Sequence, residues 1–260
     1  MTLTPARPGD RSVVGSISFE HFADRYDATR GGLERGRALA RVIGGRLVPG
    51  PVLEVGVGTG AVALPLVEQG HPVVGVDLAP AMLRHARERL GARVAVADGY
   101  RLPVAGGALA NVVVVWVLQL VPDVAAFVAE LARVVRPGGR LVVVPAHRRW
   151  ADDEMGDIVD GVFGHLRPAQ DTPEQIGAAA AAAGLRLAGR AETETHHTHE
   201  SPEDMARLIE RRELSALWDL SDATWAAVVE PALAALRALP DPERPRTRTN
   251  RGDVLVFTPG

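Results

Sequence analysis

Up to Pro145, short apolar runs alternate with stretches of helical period. Val52 to Val55 reads as a strand, Val73 to Val76 as a second that ends in Asp77, and Arg93 to Ala97 as a third that leads into Asp98. Val112 to Trp116 is apolar at every position, the pattern of a strand covered on both faces in a parallel sheet. Leu141 to Val144 is a fifth. Helices are expected between them: Ala61 to Gln69, stopped by Gly70; Pro80 to Leu90, stopped by Gly91; and Val124 to Val135, closed by Pro137-Gly138-Gly139. This rhythm predicts an α/β doubly wound, Rossmann-like sheet with right-handed crossovers.

Ahead of the first strand, Phe19 to Ile43 is helical in spacing, with a break at Gly31-Gly32. Residues 1–45 are therefore expected to form a loose tail and lid helices. After Pro145 the rhythm changes. A helix is expected over Glu154 to Phe163, another from the Thr172-Pro173 cap through the alanine run to Gly184, and others from Ser201-Pro202 and Ser221-Asp222. Leu185 to Thr195 and Asp253 to Thr258 complete seven strands, mostly parallel with an antiparallel C-terminal edge strand. The whole, residues 1–260, is expected to be a single domain, with 146–170 and 197–245 as substrate-side insertions.

Composition narrows the function classes. The 260 residues are 47% apolar with a net charge of -3, which gives no electrostatic reason to expect a nucleic-acid partner. No cysteine is present, so disulfides, thiolate nucleophiles and Cys-based zinc sites are excluded. The longest apolar run, Val112 to Leu118, falls short of the ~20 residues a bilayer requires. The amino-terminal residues lack the apolar core of a secretion signal, and a cytoplasmic protein without membrane attachment is expected.

The chemistry concentrates in Leu53-Glu54-Val55-Gly56-Val57-Gly58-Thr59-Gly60. Glycines at a strand-to-helix turn let a ligand approach the backbone. Gly56-x-Gly58-x-x-Ala61 fits a dinucleotide fingerprint, and Glu54-x-Gly56-x-Gly58-x-Gly60 fits a site for S-adenosylmethionine. Glu54 would oppose a pyrophosphate and suit a cationic amine. Asp77 can accept two ribose hydroxyls in either case.

Taken in order, LEVGVGTG, VVGVDLAPAMLRHAR, ADGYRLPV and LARVVRPGGRLVVV resemble the motifs of class I S-adenosylmethionine-dependent methyltransferases of the small-molecule group. The likeness runs from about Phe19 to the last strand. It implies S-adenosylmethionine as cofactor and S-adenosyl-L-homocysteine as product. It also implies contacts from Glu54, Gly56, Gly58 and Gly60, with Asp77 and Leu78 at the ribose and Met82 packing near the adenine. Asp98 and Gly99 would stand at the adenine amine, Trp116 near the methionine part, and Tyr26 over the cofactor. Two positions depart from the family pattern: Asn111 stands where an acid is usual before strand four, and Gln119 where a histidine is frequent after it.

The acceptor is expected to be a small organic molecule, methylated on oxygen, nitrogen or carbon. His147, just past the fifth strand, is the candidate general base, since strand carboxyl ends point at the crevice. Arg30 can reach the methionine carboxylate or lie on the surface, and His21 reads as a surface residue. Phe19, Phe22, Trp150, Phe163 and Trp218 can line an apolar pocket or be ordinary core. If His196 to His199 is a strand, His197 and His199 share a face, as a substrate rim or as two ligands of a divalent ion; no metal is expected. The oligomeric state is not legible. A non-methylating cyclase, lyase or pericyclic catalyst on the same fold is the alternative. A nicotinamide oxidoreductase lacks a Tyr-x-x-x-Lys pair, as the chain holds no lysine.

Overall fold

A computed structural model describes residues 19, 23–28, 30–146, 153–166, 170–194, 196–218 and 220–260. The chain divides into two compact units. The first comprises Met1–Ala146, Gln170–Glu194 and Gly252–Gly260; the second comprises His147–Ala169 and Thr195–Arg251.

The first unit is a seven-stranded sheet of β1 (Val52–Val55), β2 (Val73–Asp77), β3 (Val94–Val96), β4 (Leu109–Val115), β5 (Val135–Val144), β6 (Leu185–Glu192) and β9 (Asp253–Pro259), in the order β3-β2-β1-β4-β5-β9-β6. Strands β3 to β5 in that order are parallel, and β9 runs antiparallel to both β5 and β6. The antiparallel strand is thus the C-terminal one, as its sequence position predicts, but it lies one place in from the edge. The order reverses direction between β1 and β4, where a doubly wound sheet opens its crevice.

Strand alternation sorts the core. Leu53, Val55, Val112 and Val114 face one layer with Phe127, Leu131 and Ile176, from helices α5 (Val124–Val134) and α7 (Pro173–Ala182). Val52, Val113, Val115 and Val142 face the other, with Leu39, Ile43, Leu66 and Leu83, from α2 (Gly32–Gly44), α3 (Ala63–Glu68) and α4 (Pro80–Leu90). Residues 23–28 are helical, labelled α1, ahead of α2. Thr172 caps α7 through a reciprocal box with Gln175, and Pro173 follows at the first helical position.

Two expectations change. Strand β5 begins at Val135, where the fifth strand is predicted only from Leu141. Leu109 pairs Val135 and Asn111 pairs Arg140, so Arg136 to Gly139 bulge out of a ladder that has already started. Asn111 lies inside β4, fully buried; its amide accepts from Val48 N–H at 2.9 Å and donates to Val48 C=O at 2.8 Å. That pins the loop entering β1.

The second unit has its own core of Met155, Val159, Met205, Ile209, Leu233 and Leu236. They come from α6 (Glu154–Leu166), α8 (Pro202–Glu210) and α10 (Glu230–Arg237), the last continuing α9 (Asp222–Thr224) through a π turn at Trp225–Val229. Strands β7 (His196–Glu200) and β8 (Arg246–Asn250) pair antiparallel as a separate ribbon. Among the described residues, no helix is long and apolar enough to cross a membrane.

Replacing Asn111 with Leu leaves Val48 N–H and C=O without partners. We expect a loss of about 1–3 kcal/mol in urea unfolding; an unchanged midpoint would show that the loop is held by something else.

Candidate functional site

The turn after β1 is built from glycines for stated reasons. Gly56, Gly58 and Gly60 have φ of 77°, 55° and 80°, a region that L side chains rarely adopt. A Cβ on Gly56 would also sit 2.3 Å from a Val117 methyl. Helix α3 starts only at Ala63, two residues later than its sequence predicts. The turn's own N–H groups are largely engaged: Gly56 and Val57 donate to Val76 C=O at 2.8 and 2.9 Å, Gly60 to Val57 C=O at 2.9 Å, and Gly58 to Asp77 Oδ2 at 2.8 Å. The turn is thus tied back to β2 through the N–H groups of Gly56, Val57 and Gly58.

Asp77, half-buried at the end of β2, also accepts from Ala79 N–H at 2.9 Å through Oδ1. It therefore ties the glycine turn to the start of α4. A carboxylate oxygen accepts more than one hydrogen bond, so ribose hydroxyls can join these N–H groups. Leu78 beside it is half-buried, and Met82 is buried with its Cε 3.4 Å from where a Cβ on Gly58 would stand.

Glu54 lies in the middle of β1 at 2% exposure. Alternation puts it on the face shared with Val52, the one that α2 covers. Its Oε2 has no hydrogen-bond partner among the described residues. Burial first, and the negative charge of Asp77 second, push its carboxyl up to about 8. The other such orphan is Oε1 of Gln119, whose Nε2 donates to Trp116 C=O at 2.6 Å. Buried polar atoms without a partner among the described residues thus lie within β1 and after β4.

Asp98 follows β3 and accepts from Tyr100 N–H at 2.9 Å. Gly99 has a packing reason: a Cβ there would lie 2.4 Å from the Phe127 ring. Trp116 is outside β4, with φ of 54°, a strained value for a bulky residue. Its N–H donates to Val144 C=O at 2.9 Å, and the Arg35 guanidinium lies 3.8 Å from its ring centroid. Sequence spacing gave no sign of that stack.

On α1, Tyr26 packs with Phe19 against Ala79, Ala81 and Met82. Burial raises its hydroxyl pKa, while Arg30 and Arg35 oppose the shift. Arg30 is half-buried here rather than a surface side chain. Asp27, not singled out from the sequence, accepts from Thr59 Oγ1 at 2.7 Å and pairs closely with Arg89. The one available clue is Thr59, a hydroxyl inside the glycine turn.

Other candidates fall elsewhere. His147, Trp150, Phe22 and His21 lie outside the described residues. Phe163 packs on the core of the second unit. His196 and His197 are in β7, and His199 is exposed, its Nδ1 3.0 Å from Thr247 Oγ1. No group of three or more His, Asp or Glu among the described residues is placed to hold a metal ion.

Comparison with known proteins agrees with this geometry. The profile of a methyltransferase domain matches residues 53–143. The chain is 36% identical to the nocamycin O-methyltransferase of Saccharothrix syringae over 55% of its own length, and it spans 58% of that relative. It is 32% identical to the demethylmenaquinone methyltransferase of Thermus thermophilus over 65% of its own length and 91% of the relative's. The solved structure of the [4+2]-cyclase SpnF shares the fold, with a TM-score of 0.61 at 19% identity over 100% of this chain and 99% of that one. The chain belongs to the class I S-adenosylmethionine-dependent methyltransferases.

Proposed function

We propose that this protein moves a methyl group from S-adenosylmethionine to a small organic acceptor and releases S-adenosyl-L-homocysteine. The observation that supports it best is the pairing of an engaged glycine turn with an orphaned, buried Glu54. A buried acid beside the turn disfavours a pyrophosphate and suits an ammonium. The cofactor, when bound, supplies a methyl group already activated on a sulfonium.

The chain's own residues then bind, orient and exclude water. Glu54 and Gln119 accept from the ammonium, Asp77 from the ribose hydroxyls, and Asp98 from the adenine amine. Gly56, Gly58 and Gly60 allow close approach, with Leu78, Met82, Gly99 and Trp116 around them, and Tyr26 covers the nucleoside. Alignment of this kind is worth up to ~7–11 kcal/mol, so the protein has little covalent work to do. His147 is the proposed base where the acceptor holds a proton. A cytoplasmic setting and a small-molecule partner, without nucleic acid, complete the reading.

The wild-type protein should bind S-adenosyl-L-homocysteine and not NAD in calorimetry. With labelled S-adenosylmethionine and a cell extract, a small molecule should gain one CH₂. A product of unchanged mass would instead favour the cyclase or lyase reading, and binding of NAD alone would overturn both.

Glu54 yields a pH signature. An acid whose folded pKa is raised contributes stability below its unfolded value near 4.5, and that contribution is lost as pH rises through about 8. The ligand-free protein should therefore lose stability between pH 5 and 9 on the order of the pKa gap, while Glu54→Gln stays flat. Ammonium binding draws the proton off, so calorimetry at neutral pH should show proton release in wild type and none in the variant. Equal release in both would remove Glu54 from the site.

His147→Ala should slow turnover by ~10²–10⁴-fold with S-adenosyl-L-homocysteine affinity unchanged. A normal kcat would exclude His147 as base.

A further inference from the structure

We propose that Gln170 is a positioning residue for the methionine end of the cofactor: its side-chain amide sets the turn after β4, and through that turn the Gln119 side chain. The inference rests on the methyltransferase reading, in which Gln119 accepts from the ammonium, and it adds a residue from a distant segment.

One amide facing three carbonyls carries it. Gln170 Nε2 donates to the C=O groups of Val121 at 2.7 Å, Gln119 at 3.1 Å and Leu118 at 3.3 Å. An amide NH₂ has two hydrogens, so at least one is shared among these acceptors. The three carbonyls belong to the turn at Leu118–Leu120 and the residue after it. A single turn of this tight geometry holds its own shape weakly. It also follows directly on Trp116 and Val117, the first of them held at a left-handed φ of 54°. An outside grip on its main chain therefore decides where the turn stands.

Gln119 is the side chain that this grip places. Its Nε2 donates back to Trp116 C=O at 2.6 Å, and its Oε1 is buried without a partner among the described residues. Gln170 holds the main chain at Gln119 and on both sides of it, so it sets the position of Oε1 by way of the backbone.

Gln170 is itself anchored. Two residues further on, Thr172 caps α7 through its box with Gln175, and Ile176, Ala179 and Ala180 of that helix are buried. Between Gln170 and the cap, Asp171 is 2% exposed and accepts from Ala146 N–H, just past β5, at 2.8 Å. The start of α7 thus ties the loops after β4 and β5 to one support.

The test is calorimetry with two ligands: S-adenosyl-L-homocysteine, and 5′-methylthioadenosine, which has the nucleoside and thioether but neither ammonium nor carboxylate. Gln170→Leu should weaken the first about tenfold, on the scale of one hydrogen bond to a charged group, and leave the second unchanged. Equal weakening of both, the mark of general loosening, overturns the proposal, and so does no change in either. In a Gln119→Met background, Gln170→Leu should weaken S-adenosyl-L-homocysteine no further; a full tenfold loss there also overturns it. Gln170→Glu keeps the shape but sets a carboxylate against three carbonyls, which favours its protonated form. Affinity of this variant should approach that of wild type as pH falls, because the protonated carboxyl can donate; a ratio to wild type that ignores pH removes the amide from the role. If the wild type binds no S-adenosyl-L-homocysteine, the methyltransferase reading fails, and amide hydrogen exchange over residues 116–121 of the ligand-free protein still reads the turn. Faster exchange in Gln170→Leu supports the positioning role, and an unchanged rate overturns it.

Discussion

The site depends on Asp77 holding two backbone N–H groups at once. One belongs to Gly58 in the turn after β1, the other to Ala79 ahead of α4. Neighbouring parallel strands end side by side, and nothing in a sheet ladder fixes the loops beyond their ends. Asp77 does so with one side chain. It places the bare turn, and its charge reaches Glu54 in the strand beside it, where it opposes ionisation of that buried acid. One residue thus ties the turn to α4 and adds to the effect of burial in keeping the carboxyl within β1 protonated.

Other parts of the site carry local cost that the sheet must offset. Trp116 holds a left-handed backbone that disfavours a bulky side chain by about 1–3 kcal/mol. Its relaxation is opposed by the hydrogen bond to Val144, the Gln119 amide, the Arg35 guanidinium on the ring, and the packing of Val117 against Gly56. Glu54 and Gln119 leave acceptors unpaired in the interior, which costs roughly 1–3 kcal/mol for each group. Strain and unsatisfied groups lie at the carboxyl ends of β1 and β4 and in β1 itself. That distribution marks a ligand site independently of any motif.

Sequence pattern revealed the parts that rest on local rules. Gly56, Gly58 and Gly60 announce a turn because few other residues tolerate its φ values. Asp77 and Asp98 are visible because each closes a short apolar run, and Thr172-Pro173 because capping chemistry is local. Less was legible where distant segments meet. Pro137-Gly138-Gly139 is a genuine turn signal, yet it sits inside β5, because Val135 finds a partner in Leu109 before the turn begins. The motif announces Gly99, but not that Phe127, far along the chain, occupies the space of its Cβ. Gly36 reads as an ordinary helix-weakening glycine; only the Ala61 carbonyl explains it. The β7–β8 ribbon joins residues too far apart in sequence for any short-range signal.

Charge balance shows why a neutral Glu54 suits this fold. S-Adenosylmethionine brings a sulfonium and an ammonium, each positive, and one carboxylate. A site with Glu54 and Asp77 both ionised would set two negative charges against a ligand whose net excess is a single positive one, and would repel itself when empty. Burial first, and the charge of Asp77 second, oppose ionisation of Glu54. Letting the buried acid keep its proton until the ligand arrives removes the conflict. Asp77, half-buried, accepts from two backbone donors and keeps the turn in place; Glu54, buried and with its carboxyl pushed up to about 8, is the acid that the proposed ammonium would ionise. Under the proposed function, the acid ahead of the first glycine is a charge held in reserve.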